Sequence, residues 1–142
     1  MIFSDTSAVA KHDVPESEST AMRVILEGED QVFVSELARV ELMGVFHRQL
    51  REKKWTEAEF KAVVRQFMND DLGGFWTWLA LDPTITEAAA KTYASLPNSV
   101  FLRAADCLQL ITAIHHGFTE FYTYDNHQVA AAAVLGLKPL KA

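Results

Sequence analysis

The stretch Met1–Ser7, Met-Ile-Phe-Ser-Asp-Thr-Ser, constrains the fold of this chain more than any other. A short apolar run stops abruptly at Asp5, and two hydroxyl residues follow. Such a run reads as a buried strand of a parallel sheet, covered on both faces. Open α/β sheets bind ligands just outside the carboxyl ends of their strands. Asp5 is therefore placed where a catalytic or metal-binding carboxylate would stand. A structural role competes on even terms, since Asp is a preferred helix cap.

The remaining sequence is patterned for the same architecture. A helix is predicted over about Glu16–Leu26, ended by Glu27-Gly28-Glu29-Asp30. Gln31–Ser35, with Val32, Phe33 and Val34, is a second buried strand. Ser35 then opens a helix to about Lys53 whose apolar face is Leu37, Val40, Gly44 and Val45. Thr56 and Glu59 form a capping box for a helix to about Leu72, and Gly73-Gly74 breaks it. Phe75–Leu81 reads as a third strand. Asp82-Pro83-Thr84 starts a helix to about Ser95, with Pro83 suited to its first turn. A further helix ends at His115-His116-Gly117, and these histidines are read as caps. Phe118–Tyr124 is a strand, Asn126–Leu135 a helix closed by Gly136, and Leu137–Leu140 a last strand in which Pro139 marks an edge. Strand and helix alternate, so the prediction is an α/β fold with a central parallel sheet flanked by helices.

Four carboxylates stand out against this pattern. Asp5 and Asp125 each follow a strand. Asp106 lies at the mouth of a helix, on the side of Leu110 and Ala113. Glu41 falls in the middle of the predicted apolar face, where an unpartnered carboxylate does not belong. Glu36, in the first helical turn, needs only the helix dipole. Singly, each of the four has a structural alternative: a cap for Asp5 and Asp125, a dipole partner for Asp106, an ion pair with Arg39 or Arg48 for Glu41. Together they point to a shared counter-charge, because two carboxylates about 4 Å apart repel by roughly 4 kcal/mol at an effective dielectric near 20. Oxygen ligands suit a hard divalent cation such as Mg²⁺ or Mn²⁺.

Composition narrows the function. The formal net charge of -6 excludes a general nucleic-acid binder, whose affinity rests on Lys and Arg. Any such contact must be local or bridged by metal. The basic cluster Arg48, Arg51, Lys53, Lys54, Lys61 and Arg65 reads as a solvated helix–helix corner. No apolar run approaches the roughly 20 residues of a membrane span. No secretion signal is expected, and the single Cys107 fits a reducing cytoplasm. The 142 residues are expected to form one domain.

Asp5-Thr6-Ser7, the segment Ser35–Leu42, the segment Leu102–Leu110, and Thr123-Tyr124-Asp125 with Ala131–Leu137 resemble the PIN-domain family, and within it the VapC toxins of bacterial toxin–antitoxin pairs. The resemblance spans almost the whole chain. It implies a PIN-like three-layer fold, Mg²⁺- or Mn²⁺-dependent ribonuclease activity and a cognate VapB-like antitoxin. Self-association into a homodimer is also expected from it. Asp5, Glu41, Asp106 and Asp125 match the family's acidic positions; Asp5 and Asp106 are the expected primary metal ligands, completed by Glu41 and Asp125. Thr6, Ser7 and Thr123 would orient ligands or water, or simply satisfy nearby backbone turns. Gln109 and Asn126 depart from the His and the basic residue common in relatives, which would alter substrate contacts. Trp55, Phe60, Phe67, Trp76 and Trp78 are more large aromatics than a small core obviously needs and suggest an interface. The rival readings are a PIN nuclease of RNA maturation, a phosphotransfer or receiver domain, and a non-catalytic interaction domain. Asp5 lacks the second Asp two residues on of one phosphatase class, and no adjacent acids mark a receiver.

Overall fold

A computed structural model describes residues 1–142. In chain order the elements are β1 (Ile2–Phe3), α1 (Thr6–Asp13), α2 (Ser19–Gly28), β2 (Val32–Ser35), α3 (Leu37–Arg51), α4 (Glu57–Leu72), β3 (Trp76–Leu79), α5 (Pro83–Ser95), α6 (Ala104–His115), β4 (Glu120–Tyr122), α7 (Asn126–Leu135) and β5 (Lys138–Leu140). The strands β1, β2 and β3 pair in that order, and β4 pairs with β5, all parallel. One bridge, Ser4 opposite Tyr122, joins the two groups. The Asp5 amide also donates to the Tyr122 carbonyl at 3.0 Å. The strand order is thus β3-β2-β1-β4-β5. From β1 the chain winds one way to β3 and then returns to the other side through β4. The seam between β1 and β4 is the switch point of the topology, where ligands of α/β sheets bind.

The alternation of side chains along the strands builds two cores. Phe3, Phe33, Leu79 and Phe121 point to the face covered by α5, α6 and α7, among Ile85, Cys107, Leu110, Ala131 and Leu137. Ile2, Val32, Val34, Trp76 and Trp78 point to the other face, among Val9, Met22, Leu26, Leu42, Phe46 and Phe67 of α1–α4. Both faces are covered, which is why the strands read as continuous apolar runs. Pro139 lies on β5, which has a single neighbour, so its missing N–H costs no ladder bond. Gly136 ends α7 with φ +82°, a left-handed turn that suits glycine. The Thr56–Glu59 capping box forms at α4.

Three expectations need correction. Ser35 does not begin the third helix; it pairs with Leu79 inside β2, and its hydroxyl accepts from the Leu37 amide at 3.2 Å. A strand can thus end on a residue that also signals the next helix. The buried stripe of α3 is Ala38, Leu42, Phe46 and Gln49, not the predicted one: Val40 is 73% exposed and Gly44 faces solvent. The strong core residues sit one position further round the helix than the weakly apolar set suggested. The five aromatics do not form an outward surface. Phe67 and Trp76 are buried, and Trp55, Phe60 and Trp78 pack against the same core around Phe46.

Phe46 is fully buried, with ring centroids 5.8 Å from Phe67 and 6.1 Å from Trp55. Phe46→Ala is expected to destabilise the fold by about 3–5 kcal/mol through lost transfer energy and the cavity left behind. Urea unfolding followed by Trp fluorescence measures it, and a loss below about 1 kcal/mol would show that the site collapses.

Candidate active site

The switch point is lined with acid. Asp5, Glu41, Asp106 and Asp125 all border one cleft of about 450 Å³, together with Thr6, Ser7, Arg48, Arg103 and Gln128. Each carboxylate is delivered by a different element. Asp5 ends β1 and caps α1, accepting from the Ala8 amide at 3.0 Å. Asp125 follows β4 and caps α7, accepting from the His127 and Gln128 amides. Asp106 lies in the first turn of α6, and Glu41 projects from α3. Capping and cleft lining are therefore compatible, because a helix that starts at a strand's carboxyl end aims its cap into the crevice.

Asp5 is the most constrained of the four. The Ser7 hydroxyl donates to its Oδ1 at 2.6 Å, and the Thr123 hydroxyl to its Oδ2 at 2.5 Å. Both hydroxyls are themselves oriented by the backbone. The Tyr124 amide donates to Ser7 Oγ at 2.8 Å, and the Asp125 amide to Thr123 Oγ1 at 3.0 Å. With those lone pairs engaged, the two O–H protons are free for Asp5. Burial dominates the acidity of Asp5 and pushes its carboxyl up from the ordinary 3.8 to about 6; the Ser7, Thr123 and Ala8 hydrogen bonds oppose this, and the charge of Asp125 adds to it.

Glu41 is held by neutral donors. Its Oε1 accepts from Thr6 Oγ1 at 2.8 Å and from Gln109 Nε2 at 2.8 Å, and Gln109 also reaches Thr6 Oγ1 at 2.9 Å. The ion pair considered for Glu41 does not form with Arg39, which pairs with Glu36 and Asp71. Gln109 is 1% exposed and does not border the cleft, so it positions Glu41 and has no direct reach to a substrate. Asn126 is exposed at the start of α7.

Arg103 is the residue that sequence reasoning missed. From the N-cap of α6 its Nε donates to Asp106 at 2.8 Å, and a terminal nitrogen donates to Asp125 at 2.9 Å. The hydrogen bond to Asp106 is the main cause of a guanidinium held above its ordinary value, and the charges of Asp106, Asp125 and Glu41 add to it. One cation thus already answers two of the four acids. Arg48, assigned to a solvated corner with its basic neighbours, also borders the cleft. The i−3 spacing of Arg103 to Asp106 was the available signal.

The lining suits a hard cation. Its donors are carboxylate, hydroxyl and amide oxygens, with no Cys or His among them. Gln128, 3% exposed, donates to Asp106 at 3.5 Å and leaves its Oε1 buried without a partner. No three of the four carboxylates bring oxygens within 4.8 Å of one another. Water-bridged coordination, which Mg²⁺ favours, accommodates that spread.

Because the folded carboxyl of Asp5 sits above its unfolded value, its contribution to stability is full below about pH 3.8 and is lost as the pH rises through about 6. In the chelated, metal-free chain, wild type is expected to lose about 3 kcal/mol relative to Asp5→Asn across that window. Urea midpoints of the two proteins between about pH 4 and 7 measure it. A pH-independent difference would show that the Asp5 carboxyl is not raised.

Comparison with known proteins agrees with this architecture. The chain superposes on VapC20 of Mycobacterium tuberculosis, a sarcin–ricin-loop-cleaving toxin, with a TM-score of 0.74 at 16% identity, covering 100% of both chains. FitAcB from Neisseria gonorrhoeae aligns with a TM-score of 0.70 at 18% identity, over 99% of this chain and 97% of that one. VapBC2 from Rickettsia felis, bound to a DNA fragment from its promoter, aligns with a TM-score of 0.68 at 12% identity, over 99% and 98%. At these identities the likeness is one of fold. No protein of curated function matches the sequence. The family model of the PIN domain, however, matches residues 2–134, and the chain belongs to the PIN domain family.

Proposed function

We propose that this protein is a Mg²⁺- or Mn²⁺-dependent endoribonuclease and the toxin of a type II toxin–antitoxin pair, of the VapC kind. PIN-domain proteins of this kind are nucleases that use a divalent metal. The observation that carries the reading is the single cleft, at the switch point of the sheet, bordered by Asp5, Glu41, Asp106 and Asp125. The toxin assignment draws on the likeness to VapC20 over the full length of both chains. A buried carboxylate in the cleft, its pKa raised by burial to about 6, supports a catalytic reading over a non-catalytic one.

The residues divide the work. Asp5 and Asp106 are the primary ligands for the cation, and Glu41 and Asp125 complete the set directly or through water. When bound, the cation supplies a water of lowered pKa and offsets charge on the phosphoryl oxygens. Ser7 and Thr123 fix the rotamer of Asp5, and Thr6 with Gln109 fixes that of Glu41. Arg48 and Arg103 give an otherwise acidic cleft two positive groups for the RNA backbone. This local basicity resolves the conflict between a net charge of -6 and a nucleic-acid substrate.

The partner follows from the same electrostatics. A VapB-like antitoxin silences the enzyme by placing a basic side chain among the acids. The Arg103 pairing with Asp106 and Asp125 supports this, since a guanidinium fits there. Self-association into a homodimer belongs to the same reading but gains nothing from the aromatic residues, which are spent on the core.

Asp106→Asn is expected to abolish RNA cleavage and growth inhibition while leaving the circular dichroism spectrum intact. Chelation is expected to do the same reversibly, with Mg²⁺ or Mn²⁺ restoring cleavage. Sequencing of RNA ends after expression of wild type and variant provides the measurement. Undiminished cleavage by Asp106→Asn with metal present would falsify the assigned role. Co-expression with the neighbouring gene tests the toxin assignment: rescue of growth and co-purification are expected. A harmless chain that binds no such product but still cuts RNA would point to RNA maturation instead. Light scattering of the free chain reads the dimer.

A further inference from the structure

At the opposite end of α1 from the cleft, His12, Asp13 and Asp70 converge. One ligand atom from each lies within 4.8 Å of the other two. Eight helical residues, at 1.5 Å each, set this cluster about 12 Å along α1 from the Asp5 end. The Asp13 side chain is only 4% exposed. Its Oδ1 faces His12 Nδ1 at 3.0 Å, but its Oδ2 is buried with no hydrogen-bond partner. Asp70 repeats the pattern: Oδ1 accepts from Gln66 at 2.8 Å, and Oδ2 is buried and unpartnered. Glu27 Oε1 stands 3.5 Å from His12 Nε2.

The protein's own cations place no hydrogen bond on these two oxygens, although the effect of burial on the His12 ring is outweighed by the Asp13 hydrogen bond and the charges of Asp13, Asp70 and Glu27, which raise its pKa. Both ring nitrogens of His12 already face Asp13 and Glu27, so protonating the ring adds no donor for either Oδ2. Arg23 directs Nε and a terminal nitrogen to the His12 carbonyl, at 3.2 and 3.0 Å. Lys11 pairs with Glu16 and Glu18. Buried carboxylate oxygens without partners are costly and call for an explanation, an ion among them. A cavity of about 420 Å³ bordered by His12, Asp13, Arg23 and Glu27 gives access, and shares no residue with the acidic cleft.

We infer that His12, Asp13 and Asp70 form a second cation site, for a divalent transition metal such as Zn²⁺. An imidazole beside carboxylates suits Zn²⁺ or Co²⁺ better than Mg²⁺. The metal takes the neutral ring, and the displaced proton leaves to solvent. The role is structural. His12 packs on Phe75 and Trp76, with centroids 5.0 and 5.5 Å away, so the ion would tie the last turn of α1 to the end of α4 beside β3. This inference stands whether or not the chain is a nuclease.

The test uses the full chain, stripped with chelator and titrated with Zn²⁺ or Co²⁺ alone. An Asp106→Asn background weakens binding at the cleft, so that the second site dominates. One equivalent is expected to bind and to raise Tm by about 9 °C at roughly a hundredfold excess over Kd. Long-range ¹H–¹⁵N spectra are expected to show the His12 ring nitrogen shifting with Zn²⁺. Asp70→Asn and His12→Gln are each expected to weaken binding at least about tenfold. An unshifted His12 ring overturns the proposal, even if a variant fails to fold. So does binding that survives in both variants, which would assign the metal elsewhere, as to His115 and His116.

Discussion

The molecule is organised around a buried carboxylate at a seam. Asp5 stands where two groups of strands meet through one bridge and one further amide, and it is almost wholly removed from water. Burying a carboxylate is unfavourable unless hydrogen bonds or counter-charge answer it. Here the answer comes from both sides of the seam. Ser7 and Ala8 donate from the β1 side, and Thr123 donates from the β4 side. The interaction that tolerates the acid is therefore the one that locks the two halves of the sheet together.

The other acids are managed by different means, and the differences matter. Glu41 is answered by neutral donors, the Thr6 hydroxyl and the Gln109 amide. Asp106 and Asp125 are answered by a full charge, Arg103, which is itself half-exposed. An exposed guanidinium is screened and mobile compared with a buried amide. The cleft thus has a fixed wall at Asp5 and Glu41 and an exchangeable counter-ion at Asp106 and Asp125. A cation drawn to Asp106 and Asp125 would compete there with a half-exposed side chain.

Much of this was legible in the chain. The apolar run before Asp5, the strand before Asp125 and the helix mouth at Asp106 each carried a local pattern that the fold keeps. Glu41 was singled out for an incomplete reason. The stripe it was thought to interrupt is not the buried one, yet it borders the cleft because α3 turns that flank toward α1 and α6. The Asp106 partner of Arg103 was within local reach, but the roles of Gln109 and Gln128 and the second contact of Arg103 were hidden, because each depends on a partner far away in the chain. Gln109 meets Thr6 across 103 positions, and Arg103 meets Asp125 across 22. Local spacing has no access to such pairings. The aromatics misled for a related reason: composition counts large side chains but does not say that four helices on one face need them all.

The seam also has a consequence in time. Asp5 and Thr123 are 118 positions apart, and the strand that supplies Thr123 is stapled in turn by β5, beyond residue 137. Chains fold from their beginning as they are synthesised. A growing chain can assemble β1 to β3 and their helices early, but it cannot close the acidic cleft until β4 and β5 have emerged.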